Sequence, residues 1–101
     1  MLLPKNVVDR IYLKLQNQDK LRQRGTPHDQ RWLLAIESVY KKLNPEMQRL
    51  FTLHFQEHRS GLDVMYELCI ERSTFYAWRE QILMQIAVAA VESGAMQIFY
   101  D

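Results

Sequence analysis

Residues 61 to 82 read GLDVMYELCIERSTFYAWREQI, and the fold turns on how their apolar positions are shared out. Val64, Leu68, Ile70, Phe75 and Trp78 follow one another at spacings of four, two, five and three. One helix cannot bring all five to one side, because Ile70 breaks the i, i+4 rhythm of Val64 and Leu68. Two short helices meeting at a sharp turn can. The first carries Val64 and Leu68, the second Phe75, Trp78 and Ile82, and Ile70 plugs the corner. That is the apolar skeleton of a helix-turn-helix.

At roughly 100° per residue, Phe75, Trp78 and Ile82 fall within about 60° of one another on the second helix. The opposite face presents Ser73, Tyr76, Ala77 and Glu80, with Arg72 and Arg79 on one flank and Thr74 on the other. A small polar face of this kind suits the DNA major groove, where side chains reach base edges. The candidate contacts are therefore Arg72, Ser73, Thr74, Tyr76, Ala77 and Arg79. Arg72 stands at the N-terminal end, where recognition helices make their first contacts.

The segment from Asn44 to Leu83, with NPEMQRLFTLHF at its start and LDVMYELCIERSTFYAWREQIL at its end, resembles region 4 of bacterial sigma-70 factors. The order of WLLAIESVYKKL, this motif and STFYAWREQIL is similar to small phage late-gene transcription activators of the ArpU and RinA type. The likeness spans about residues 30 to 90. It implies an all-α helix-turn-helix protein with an N-terminal helix and a long apolar C-terminal helix. It also implies a transcription regulator of phage or prophage origin that reads promoter DNA with the helix beginning near Arg72. Double-stranded DNA would be its partner, and RNA polymerase a second one. Two positions depart from the pattern. Cys69 stands at the turn where the family has Gly, and Glu71 where a Ser caps the second helix. A turn that needs φ > 0 is strained by Cys.

The chain of 101 residues is one domain's worth, with a hydrophobic share of 48% that argues against disorder. Three Gly and three Pro at plausible breaks, with almost no period-2 alternation, point to an all-helical fold. The N-terminal MLLPKNVVDR lacks the apolar core of a signal peptide, and Ile82 to Val91 is too short an apolar run to span a membrane. A cytoplasmic location is expected, with no membrane partner. The lone Cys69 cannot form an internal disulfide and is expected as a small buried residue of the turn. The net charge of +1 hides an asymmetry. Residues 1 to 42 hold nine basic and four acidic side chains, whereas residues 43 to 101 hold four and eight. The half with the helix-turn-helix is thus the acidic one, and the phosphate-neutralising charge that DNA affinity needs lies in the other.

Within the single domain, residues 1–25 read as an N-terminal helix and basic linker, 26–93 as the helix-turn-helix core and 94–101 as an apolar tail. Val8, Ile11, Tyr12 and Leu15 recur at helical spacing over residues 5 to 21, with Asn6 as the N-cap and RQRG as a polar break after Leu21. Thr26-Pro27-His28-Asp29 is a strong helix start, and Trp32, Ile36, Val39 or Tyr40, and Leu43 mark that helix's buried side. Asn44-Pro45 opens the next helix, whose apolar side is Met47, Leu50, Phe51, Leu53 or His54, and Phe55. Ser60 to Asp63 caps the first helix of the motif. The last helix runs from Arg72 to Ser93-Gly94, and beyond Arg79 it is apolar all round. With the tail through Tyr100, that excess predicts a homodimer through the C-terminal helix and tail. The competing expectation is that the N-terminal helix folds back and covers it.

His54 to His58 match the inverted zinc-protease pattern H-x-x-E-H, which needs both His on one helical face. A catalytic zinc needs a third ligand and a cleft, for which the remaining residues offer no spare carboxylate. The glycines stand alone, so no phosphate loop is present, and no nucleophile–base pair is evident. No enzyme activity, metal or cofactor is expected. Two other functions use the same fold: a protein-interaction module docking on RNA polymerase or another regulator, and the DNA-recognition subunit of a phage packaging terminase. The acidic half favours the former.

Overall fold

Three helix starts are set by side chains that satisfy otherwise free backbone donors. Thr26 Oγ1 accepts from the Asp29 N–H at 3.1 Å, Asn44 Oδ1 from Met47 at 2.9 Å and Ser60 Oγ from Asp63 at 3.1 Å. Pro27 and Pro45 occupy the first turns that follow, where a missing N–H costs nothing.

The computed structural model describes residues 3–97. These form six α-helices and one π-helical turn, with no strand among the described residues. They are α1 (Lys5–Gln16), α2 (Gln18–Arg24), α3 (Pro27–Lys42), α4 (Pro45–Phe51), a π turn (Thr52–Gln56), α5 (Gly61–Leu68) and α6 (Arg72–Glu92). The all-α expectation holds.

The N-terminal region differs from the sequence reading. α1 starts after Pro4, not at an Asn6 cap, and the chain breaks at Asn17. The Asn17 amide side chain donates to the Leu13 carbonyl at 2.7 Å, and its own carbonyl accepts from Leu21 at 3.1 Å. One residue thus ends α1 and begins α2. The RQR of the expected linker is helical, and Gly25 closes α2 in the left-handed region at φ 59°. Arg24 Nη2 reaches the buried Asp29 Oδ1 at 2.9 Å, and Thr26 Oγ1 donates to Asp29 Oδ2 at 2.7 Å. The Thr26 bond foremost, helped by the Arg24 charge and opposed by desolvation, holds the Asp29 carboxyl below its ordinary value.

α3 buries Trp32, Ala35, Ile36 and Val39, so Trp32 is core, with its indole N–H donating to His28 Nε2 at 3.2 Å. α4 and the π turn bury Met47, Leu50, Phe51, Leu53, His54 and Phe55. Leu53 and His54, alternatives in the sequence, are both inside. The wide π turn runs between α1 on one side and α5 on the other, so three successive residues find cover.

α6 is continuous over 21 residues. Its C-terminal half packs on α3 and α1, which bury Ile82, Leu83, Ile86, Ala87 and Ala90. The apolar excess that suggested a dimer is therefore largely covered within the chain, chiefly by α3, with the N-terminal helix of the fold-back expectation supplying the smaller share. Of the run from Ile82 to Val91, Val88 and Val91 stay substantially exposed, at 52% and 40%. Ala95 and Met96 are buried as well, their N–H groups donating to the Ala90 carbonyl at 2.8 and 3.1 Å. This part of the tail belongs to the core, and residues 98–101 lie outside the described residues. No helix is long and apolar enough to cross a membrane among the described residues.

Ile86→Ala should cost about 2–5 kcal/mol of unfolding free energy by urea titration, because it leaves a cavity where three helices meet. Val88→Ala should change stability by less than about 0.5 kcal/mol. A comparable loss at both positions, with a concentration-dependent midpoint, would restore the dimer through α6.

Candidate nucleic-acid interface

α5 and the first half of α6 meet at the three-residue corner Cys69-Ile70-Glu71. The Cys69 N–H donates to the Tyr66 carbonyl at 3.3 Å and the Ile70 N–H to Met65 at 3.0 Å. This is the paired bonding of a Schellman motif, in which the αL position is usually glycine. Cys69 takes it at φ 54° and ψ 45°. The expectation of a buried Cys69 is wrong: the side chain is exposed, because the αL backbone turns its Cβ out of the corner. Ile70 and Met65, partly buried, pack on the core together as the motif's hydrophobic contact. Glu71 is extended at φ −76° and ψ 161° and gives α6 no side-chain cap.

Phe75 anchors α6 from beneath. Its buried ring lies edge-on to His54 at 5.3 Å, and a Cβ on Gly61 would sit 3.2 Å from it. That close approach is why the first residue of α5 has no side chain. Trp78 is half-buried beside it.

Arg72, Ser73, Tyr76 and Ala77 are all exposed, with Glu80 next to them. The Arg72 guanidinium lies 5.7 Å from the Tyr76 ring centre, a cation–π approach that holds the two as one raised unit. Thr74 and Arg79, placed in the same set by sequence, are half-buried. Arg79 is turned the other way, its guanidinium 4.8 Å over the Tyr12 ring of α1. It fastens α1 to α6. The helical wheel locates Arg79 on the flank but cannot show that α1 lies there.

Beneath this contact sits His54. Its Nδ1 lies 2.8 Å from the Arg59 carbonyl, which can only accept, so Nδ1 carries the proton. Nε2 then accepts from the Tyr12 hydroxyl at 3.2 Å. Burial foremost, with the nearby Arg79 charge, pushes the imidazole below its ordinary value of 6.5, against the Arg59 bond. His58 has left the helix at φ 58° and bonds the Gln16 side chain. The two histidines therefore do not share one helical face, and the zinc spacing has no geometric basis. Among the described residues no three His, Cys, Asp or Glu side chains gather as a metal site would need.

One feature escaped the sequence reading, and a second was read there only as a basic linker. Leu62 and Tyr66, four apart on α5, point to solvent at 77% and 88% exposure. Their position opposite Val64 was the available signal. Acidic side chains flank them: Asp63 is exposed, and Glu67 draws Arg49 and Arg59 to 3.6 and 3.9 Å. The second is that the basic charge expected of a linker lies instead on helices, with Lys14, Lys20 and Arg24 gathered at the junction of α1 and α2. Compared with protein-family models, curated proteins and solved structures, the chain matches none.

Cys69→Gly should raise stability by up to about 1 kcal/mol, by relieving the αL residue; an unchanged or lower urea midpoint would show the corner unstrained. Because His54 is held neutral in the fold but takes up a proton near 6.5 when unfolded, stability is complete above that pH and falls as pH drops below it. Thermal melts across this range should show the decline, and His54→Gln should flatten it.

Proposed function

We propose that the chain is a helix-turn-helix DNA-binding transcription regulator that sets the N-terminal half of α6 in the major groove. The observation that carries this reading is the two-sided character of α6. Phe75 and Ile82 seal one side into the core, while Arg72, Ser73, Tyr76 and Ala77 project together from the other. A reading helix needs both properties, since base edges discriminate only among side chains held at fixed positions. Arg72 suits a bidentate contact with guanine, Ser73 accepts or donates to either base type, and Ala77 offers a methyl to thymine. Glu80 adds an acceptor for a cytosine amino group. Arg79 is a positioning residue, because its guanidinium is engaged by Tyr12. Thr74, half-buried, supports the edge of the face. The likeness to phage late-gene activators makes a phage or prophage promoter the natural target.

One observation favours a second reading, that of an interaction module docking on RNA polymerase or another regulator. The exposed pair Leu62 and Tyr66, beside Asp63 and a Glu67 already paired with Arg49 and Arg59, has the character of a protein contact for an apolar partner. The two readings are compatible if α6 faces DNA and α5 faces protein.

Selection from a random duplex library at low salt should enrich one sequence family. Arg72→Ala should then cost about 1–3 kcal/mol on the selected site and relax the choice at one base pair. Tyr12 and Arg79 are left intact so that the helical spectrum is unchanged. Failure to enrich any sequence would remove the DNA reading and leave the α5 face as the functional one.

A further inference from the structure

The α6 face is bordered by Glu71 and Glu80, and the half of the chain that carries it has twice as many acidic as basic side chains. Phosphate neutralisation dominates the affinity of proteins for DNA, so a reading face of this sign needs cations from elsewhere. The break at Asn17 supplies a place for them. Because α2 turns away from α1 there, the two helices leave a concave groove floored by Leu21 and lined by Leu13, Lys14, Asn17, Lys20 and Arg24. Of its three cations Arg24 is ion-paired with Asp29, which leaves Lys14 and Lys20, and no carboxylate lines it. Asp19, the nearest acid in sequence, lies in the cleft on the other side with Arg22, to which it is paired at 3.4 Å. Asp29 is already neutralised by Arg24, whose side chain remains 60% exposed. Lys14 is steadied by the Trp32 ring, 5.8 Å from its Nζ.

We propose that this α1–α2 groove is a second nucleic-acid contact, gripping the phosphate backbone of double-stranded DNA through Lys14 and Lys20, while Arg24 at its edge holds Asp29. From Lys14 to Lys20 the helices span at most roughly 9 Å, and duplex DNA carries one charge per about 1.7 Å of axis, so each lysine has a phosphate within reach. An anionic lipid surface fits less well, since membrane-lying helices offer a broad apolar face and that of α1 is buried at Ile11 and Leu15. The groove goes beyond the α6 reading, and rests on it only in naming DNA as the polyanion. Backbone contacts fix position and strength, and base contacts carry sequence, so the two surfaces have separable signatures.

The test is the salt dependence of binding to a labelled mixed-sequence duplex about two turns long, for the full chain and for Lys14→Gln/Lys20→Gln. Arg24 is kept because it holds Asp29. Two phosphate contacts removed should lower the slope of log K against log salt by about 1.8. The unaltered chain should then lose about 10-fold more affinity than the variant between roughly 50 and 200 mM salt. Lys41→Gln/Lys42→Gln, at the end of α3, is the charge-matched control and should leave the slope nearly unchanged. An unaltered slope in the groove variant, with its helical spectrum retained, overturns the proposal. So does an equal fall in the control, or tighter binding to anionic phospholipid vesicles than to the duplex. Sequence preference is read separately. A groove-dependent slope with no enriched sequence would sink the α6 reading and keep the groove, whereas an enriched sequence with a groove-independent slope would do the reverse. No binding to any duplex at low salt removes both.

Discussion

The structure depends on the need to cover a helix that is apolar on nearly every side. The run from Ile82 to Ala90 in α6 cannot face water over most of its circumference, and α3 and α1 pack along it and bury Ile82, Leu83, Ile86, Ala87 and Ala90. At about 25 cal/mol per Å² of apolar surface, this interface outweighs any single hydrogen bond or ion pair in the chain. It also dictates the order of the remaining elements. α2 exists to turn the chain from α1 back into α3, and Ala95 and Met96 fold onto the same core once Gly94 has ended α6. Because α6 is one uninterrupted rod, clamping its C-terminal half fixes the direction of its exposed N-terminal half.

A smaller cluster stiffens the junction between the clamped and exposed halves. Tyr12, His54, Phe55 and Phe75 meet edge to face, with ring centres from 4.9 to 6.0 Å apart. Arg79 closes the group from above, stacked on Tyr12. The π turn is what brings His54 into this cluster, since the Glu57 N–H reaches back five residues to Thr52 at 2.9 Å. No buried side-chain polar atom lacks a partner among the described residues. Such a satisfied network is rigid, and it fixes the exposed half of α6 relative to the core.

Charge is distributed in the opposite sense to the apolar core. The basic side chains concentrate in α1 to α3, and the acidic ones around α5 and α6. An acidic neighbourhood weakens unspecific attraction to polyanions, so the exposed face of α6 differs in sign from the surface of α1 to α3.

Much of this architecture was legible in the sequence, because it follows from interactions between residues three or four apart. The caps at Thr26, Asn44 and Ser60, the stop at Gly94 and the apolar sides of α3 and α4 are local chemistry. So is the corner at Cys69 to Glu71, whose Schellman bonding stays within six residues. The reach of Arg72, Ser73, Tyr76 and Ala77 into solvent also followed from helical spacing. The residues misjudged are those whose state depends on a distant partner. Arg79 faces Tyr12 instead of solvent, the His54 nitrogens are taken by Tyr12 and Arg59, and α1 and α3 cover a helix that looked too apolar to be covered alone. Cys69 is exposed because a left-handed residue turns its side chain out of the corner, a direction that composition does not carry. Sequence by itself determined where α3 to α6 begin and where the chain turns between α5 and α6, but not the break at Asn17 or the π turn at Thr52–Gln56. Tertiary packing decided which of their side chains remain free to act, because burial depends on what lies opposite, and that is set by contacts tens of residues apart.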